Sequence, residues 1–152
     1  MGRVFGHFQH AIREEFGQSM VELALLLPIL VFGLIGAADL ARAFAIQLAI
    51  QNGARAGAEA YVIASKPTTA LAAQTVRDET SRTPGIDLNL LIVSTPVHPQ
   101  HADGTDCATT PTVADPCFYT VTVEYTFKTI VPWPFIPNTA NFNRSTTMRT
   151  FY

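Results

Sequence analysis

The sequence predicts an α+β chain: a long N-terminal helix, then a short helix, then a small antiparallel β-sheet head. Two patterns carry that reading. An uncharged apolar run over residues 23–38 continues past Asp39 in helix-compatible sequence, with no proline before Pro67. Far downstream, residues 118–131 alternate Val121, Val123, Tyr125 and Phe127 with Thr120, Thr122, Glu124, Thr126 and Lys128, the period-two pattern of a strand with one buried face. Composition frames both. The 152 residues are 48% apolar and only 14% charged, against roughly 25% charged in ordinary soluble domains. The length suits one domain rather than two full cores. A net charge of −2 argues against a basic nucleic-acid reader, and no repeat of roughly 20–50 residues is present to suggest a solenoid or propeller.

The missing charge is concentrated in the first helix. Residues 23–38, LALLLPILVFGLIGAA, make about 24 Å of helix at ~1.5 Å per residue. Extending the run to residues 20–41 brings it close to the ~30 Å hydrocarbon core, so a transmembrane helix is expected there. A cleaved secretory signal, with Gly36, Ala37 and Ala38 as the small-residue site, is one alternative. A buried core helix is another. Beyond Asp39 the pattern runs on to about Ile63, giving one helix over residues 18–63, its first half in lipid and its second half outside. Gln47, Gln51, Arg55 and Glu59 form a narrow polar stripe on that outer half. Its other faces are apolar over more than packing on one small head requires, which predicts further helices or other copies as partners. Ala49, Gly53 and Gly57 recur at four-residue spacing, as do Gly33 and Ala37, and such small faces allow close helix approach. The chain's own head is the alternative neighbour for them. Pro28 removes one backbone hydrogen bond inside the apolar run and should loosen the helix there.

Glu22 stands at the edge of the run. A carboxylate moved toward the bilayer centre costs roughly 2.5 kcal/mol or more unless it is protonated, paired or able to snorkel. Ser19, three residues earlier, makes a capping box with Glu22 one reading. The other depends on Gly17. A cut after it would free an amine at Gln18, and that amine on one subunit could neutralise Glu22 of another in a low-dielectric bundle.

With Gly17, the Val21-Glu22-Leu23-Ala24-Leu25 run, Pro28, Arg42 and the Asn52–Gly57 segment in this order, about 40 residues resemble the N-terminal domain of the TadE-like pseudopilins. These are minor pilin-type components of the tight-adherence (Tad/Flp) pilus system. The resemblance implies a cytoplasmic leader over residues 1–17, cut after Gly17 by a dedicated prepilin peptidase with the hydrophobic segment left attached. It also implies an inner-membrane location, a single pass, and a C-terminal head on the periplasmic or extracellular side. Other Tad pilins and pseudopilins, the inner-membrane assembly platform and membrane lipid are the implied partners. The leader's Arg3 and Arg13 are balanced by Glu14 and Glu15, so charge bias adds little to the orientation.

Residues 64–152 are expected to form the head. Thr68 or Thr69 can cap a helix over residues 70–82, with Leu71, Val76 and Thr80 on one face. Strands are expected over residues 87–93, 118–131 and 142–152, their apolar face laid on the long helix. Residues 132–137, PWPFIP, read as a rigid loop. Cys107 and Cys117 are the only cysteines, and on the exported side of a membrane they read as a disulfide closing loop 107–117. Zinc held by His98, His101 and both cysteines is the sharper alternative, but the two histidines have loose loop spacing, and no metal is expected. Residues 103–106, DGTD, lack the distant bidentate glutamate of a calcium loop and read as a solvated turn.

There is no GxSxG elbow, phosphate loop or HExxH pair, so the chain is read as a non-enzyme without a cofactor. Two functions remain. The first is a pseudopilin that takes part in building a surface-adhesive pilus, with Glu22 setting subunit register. The alternative is a membrane-anchored binding module that never enters a pilus, with loop 107–117 as its contact surface.

Overall fold

The computed structural model describes residues 4–107, 111–134 and 136–150, with side chains described from Gln18 onward. The architecture is α+β: two helices, then a three-stranded antiparallel sheet. By contacts the chain divides into two compact units, Met1–Leu40 and Ala41–Tyr152.

The described residues of the first unit, 4–40, are helical backbone belonging to α1, Val4–Ile63. Helix therefore begins well before residue 18, because residues 4–17 contain neither proline nor a residue pattern that would stop it. Ser19 lies inside this helix and is no N-cap. Pro28 sits within α1 as expected. The side chains of residues 20–34 are largely open, and Met20, Leu25, Ile29 and Leu34 each expose two-thirds of their area or more. Over its most apolar window, the helical stretch Gln18–Ile63 has a mean hydropathy of 2.4, long and apolar enough to cross a membrane.

In the second unit the later turns of α1 supply one wall of the core. Ile46, Ile50, Ala54 and Ala58 recur every four residues, are all buried, and lead to Tyr61. The helix α2, Thr69–Ser81, starts at Thr68, whose hydroxyl accepts the Leu71 N–H at 3.1 Å, satisfying one of the first-turn donors. Its buried face is Ala72, Val76 and Thr80. Leu71, expected on that face, is 38% exposed; Ala72, one turn before Val76 and two before Thr80, takes that place.

The sheet has the order β1–β2–β3. Only part of the first predicted strand is extended. The Asp87 carboxylate accepts the Asn89 N–H at 3.0 Å and turns Leu88–Leu90 into one 3-10 turn, leaving β1 as Leu91–Ser94. β2, Cys117–Lys128, and β3, Thr139–Thr150, pair over twelve residues from Cys117↔Thr150 to Lys128↔Thr139 with no bulge. β2 follows the predicted alternation: Cys117, Tyr119, Val121, Val123, Tyr125 and Phe127 are buried. Its opposite face carries cross-strand polar pairs, Thr120–Thr147 at 2.8 Å, Thr122–Ser145 at 3.1 Å and Asn143–Glu124 at 2.9 Å. Such directly opposed pairs each contribute a fraction of a kcal/mol and fix register. Between β2 and β3, Asn138 closes the proline-rich loop. Its side-chain oxygen accepts the Trp133 N–H at 2.6 Å, and its carbonyl accepts that of Thr129 at 3.0 Å.

Candidate functional site

The sequence points to three groups of residues: the start of the apolar helix, the small-residue face and the cysteine loop. At the first, the backbone of Gly17 is helical and its surroundings lie outside the described residues. Gln18 and Glu22 are one turn apart and exposed, and the Gln18 amide donates to the Glu22 carboxylate at 3.3 Å. An amide one turn away is a neutral partner, so the charge on Glu22 keeps most of its capacity to attract a cation. Gly33 has no atom within 4 Å of where a Cβ would stand.

The small-residue face of the outer helix has a definite neighbour. A Cβ on Gly57 would lie 2.5 Å from Val76 Cγ2 and 2.9 Å from the Ala72 carbonyl oxygen. One on Gly53 would lie 2.7 Å from the Thr80 methyl and 3.3 Å from the Val76 oxygen. Ala49, on the same row, is 6% exposed. Gly53 and Gly57 thus seat α2 of the same chain, so they are spoken for within the head. The Thr80 hydroxyl donates back to the Val76 carbonyl at 2.8 Å, leaving its methyl to face Gly53. The surplus apolar surface of the outer helix is correspondingly smaller than the sequence suggested, with Leu40, Phe44, Leu48 and Ile63 as its large exposed members.

Three contacts that sequence patterns did not foretell bind this part of α1 to the sheet. The rings of Tyr61 and Tyr119 stack at 3.5 Å between centroids and 5° between planes. Arg42 lays its guanidinium over the Phe127 ring at 5.4 Å, a cation–π contact worth roughly 0.5–2 kcal/mol, while Phe127 stacks on Phe142 at 5.7 Å. At the polar stripe, Arg144 of β3 donates to Gln47 at 2.9 Å.

Burial raises the pKa of the Tyr61 hydroxyl, helped by Tyr119 beside it, and burial also raises that of Tyr119. Each raised pKa means that the folded chain holds its phenol proton at a pH where the unfolded chain has released it. Stability from these groups is therefore full below the unfolded value near 10 and is lost as pH rises through the folded values. Alkaline titration should show tyrosinate absorbance lagging behind free tyrosine until the head unfolds. A Tyr61→Phe, Tyr119→Phe chain should lose this part of the alkaline instability.

Cys107 and Cys117 are joined by a disulfide. A ring of this size contributes about 3 kcal/mol on the chain-entropy account. The same region is held by backbone pairs between Gln100 and Phe118, both at 2.8 Å, and by the Cys107 N–H bonded to Pro99 at 2.9 Å. His101 lies with the two sulfurs, the three potential ligand atoms being within 4.8 Å of one another, whereas His98 is exposed and outside that group. The His101 Nδ1 is 2.9 Å from an Asp115 carboxylate oxygen. Asp103 is committed to its own turn. It accepts from the Thr105 N–H at 3.0 Å and hydroxyl at 2.7 Å, with Gly104 at φ +87°. Those bonds from Thr105, hydroxyl first, lower the Asp103 pKa.

With this geometry in hand, the comparison with protein families separates the groups. Residues 17–59 match the family model of TadE-like proteins. The match begins at Gly17, includes Glu22, Pro28 and Arg42, and ends just past Gly57. It therefore covers both the exposed apolar helix and the small-residue face that seats α2. The cysteine loop and the sheet fall outside the TadE-like segment. No curated protein and no solved structure matches the chain.

Proposed function

We propose that this chain is a minor pseudopilin of a Tad-type pilus, anchored in the inner membrane by α1 and acting in assembly rather than catalysis. The observation that carries the reading is the TadE-like match over residues 17–59, starting at the glycine where a leader would end. In the proposed mechanism a prepilin peptidase cuts after Gly17 on the cytoplasmic side and leaves Gln18 as the new N-terminus. The apolar helix stays in lipid beside the helices of other pilins or of the assembly platform. Glu22, exposed and next to a neutral amide, then pairs with the free amine of a neighbouring subunit. Pairing two opposite charges where water is scarce restores part of the hydration each has lost, and it works only when the helices are in one register.

Mass spectrometry of the membrane-extracted protein from piliated cells tests processing. An N-terminus at Gln18 is expected, and one at Met1 rejects the cleavage step. Glu22→Ala should leave cleavage intact and reduce piliation at least ten-fold, scored by electron microscopy and adherence to a surface. Unchanged piliation would remove the register mechanism.

A further inference from the structure

We propose that the Cys107–Cys117 disulfide masks a zinc site, which opens when an external dithiol reduces it, with both cysteines and His101 as ligands and Asp115 orienting the imidazole. Three features of the loop carry this. The first is proximity: one ligand atom from each of His101, Cys107 and Cys117 falls within a 4.8 Å span. Tetrahedral zinc with sulfur bonds near 2.3 Å and nitrogen bonds near 2.0 Å needs neighbouring ligand atoms ~3.5–3.8 Å apart. On reduction the two sulfurs, bonded at ~2.05 Å in any disulfide, must part by about 1.7 Å to reach that spacing, with the His101 nitrogen already within 4.8 Å of both. The second is orientation. Asp115 sits 2.9 Å from His101 Nδ1, the carboxylate–histidine pairing that fixes the ring and raises the basicity of metal-bound imidazoles. The third is access. His101 and Cys107 are only partly covered, while Cys117 is buried, and His101 and Asp115 line an open hollow of about 440 Å³.

The disulfide itself keeps metal out, because zinc binds thiolate and a disulfide sulfur offers none. In the exchange, one thiolate of the dithiol attacks the more accessible Cys107 sulfur and releases the Cys117 thiolate. The second thiol of the reagent then closes its own disulfide and frees Cys107. Two electrons and two protons pass from the dithiol to the protein. Zinc binding next displaces the two thiol protons to water, and a water molecule completes the fourth position. This site differs from one using His98, which stands apart from the group.

The test uses the full chain in detergent micelles, reduced with a dithiol, freed of it without oxygen, and titrated with Zn²⁺ against a chromophoric chelator. One zinc per reduced chain and none per oxidised chain is expected. X-ray absorption of the zinc-loaded natural sequence should give two sulfur ligands and one histidine nitrogen. His101→Ala and Asp115→Asn should each weaken binding ten-fold or more, and His98→Ala should leave it unchanged. No zinc on the reduced chain overturns the proposal. So does a sulfur-only ligand set, or equal affinity in the His101→Ala chain. Should His101→Ala fail to fold, the ligand set of the natural sequence decides alone.

Discussion

Gly57→Leu should unfold the head under conditions in which the natural chain is stable, and Gly57→Ala should destabilise it by about 1–3 kcal/mol, the usual cost of overpacking a filled site. Alanine is favoured over glycine in a helix by roughly 0.5–1 kcal/mol, so the sign depends on whether the neighbours can yield. At Gly57 they cannot. The new methyl would lie 2.9 Å from the Ala72 carbonyl oxygen, a backbone atom of α2, as well as 2.5 Å from Val76. Gly53→Ala should cost less than Gly57→Ala but still destabilise, since the backbone oxygen is 3.3 Å away while the buried Thr80 methyl, 2.7 Å away, is held by its own hydroxyl bond to Val76. Gly33→Ala, with nothing within 4 Å, should be neutral or slightly stabilising. Thermal unfolding of the full chain in detergent, followed by near-ultraviolet circular dichroism, ranks the three. A Gly57→Ala chain as stable as Gly33→Ala would mean that α2 is not seated on the glycine face.

Tyr119→Ala should cost about 3–5 kcal/mol, the range for removing a large buried aromatic side chain. Tyr119 is fully buried on the sheet's inner face near the start of β2 and stacks on Tyr61 from α1. Removing it empties the space between helix and sheet and breaks an aromatic pair worth a further fraction of a kcal/mol beyond its area. Tyr61→Ala should cost less than Tyr119→Ala, since Tyr61 retains 7% exposure and lies near the helix end. Together the two losses should be less than additive, because the second change removes a ring whose partner is already gone. Chemical denaturation of the two single variants and the double variant measures that coupling, and strict additivity would count against the stack.

The long helix and the second strand were the most legible elements, each for a reason of scale. Sixteen consecutive uncharged, mostly apolar residues over 23–38 admit few structures besides a helix, and the β2 alternation holds for every residue from Val121 to Lys128. The helix start was not legible. A serine three residues before a glutamate can cap a helix only if the chain before it is not itself helical, and here it is. The strand over 87–93 was overread because Asp87 folds its carboxylate back on Asn89, a local bond that competes with the sheet. Four-residue glycine spacing correctly signals close approach but carries no address. The complementary row on α2, Ala72, Val76 and Thr80, has the same spacing, and pairing two such rows was the available signal. Arg42 was legible as part of a family pattern, yet its position over Phe127 depends on a strand more than eighty residues away.

The compact unit that holds the sheet begins at Ala41 rather than at residue 64, because Ile46, Ile50, Ala54, Ala58 and Tyr61 belong to its core. A fragment cut after Ile63 would leave the inner face of β2 bare and should aggregate, whereas one starting near Ala41 carries its own lining. The same fact divides residues 17–59, the segment that matches the TadE-like model. The part before Ala41 is a largely exposed apolar helix, within the stretch long and apolar enough to cross a membrane. The part after it answers to a sheet encoded far downstream. A change in that second part, such as Ala58 or Gly57 to a larger residue, would be inherited safely only with a matching change in α2 or β2. Residues 41–63 and the α2 and β2 segments that pack on them must therefore evolve as one.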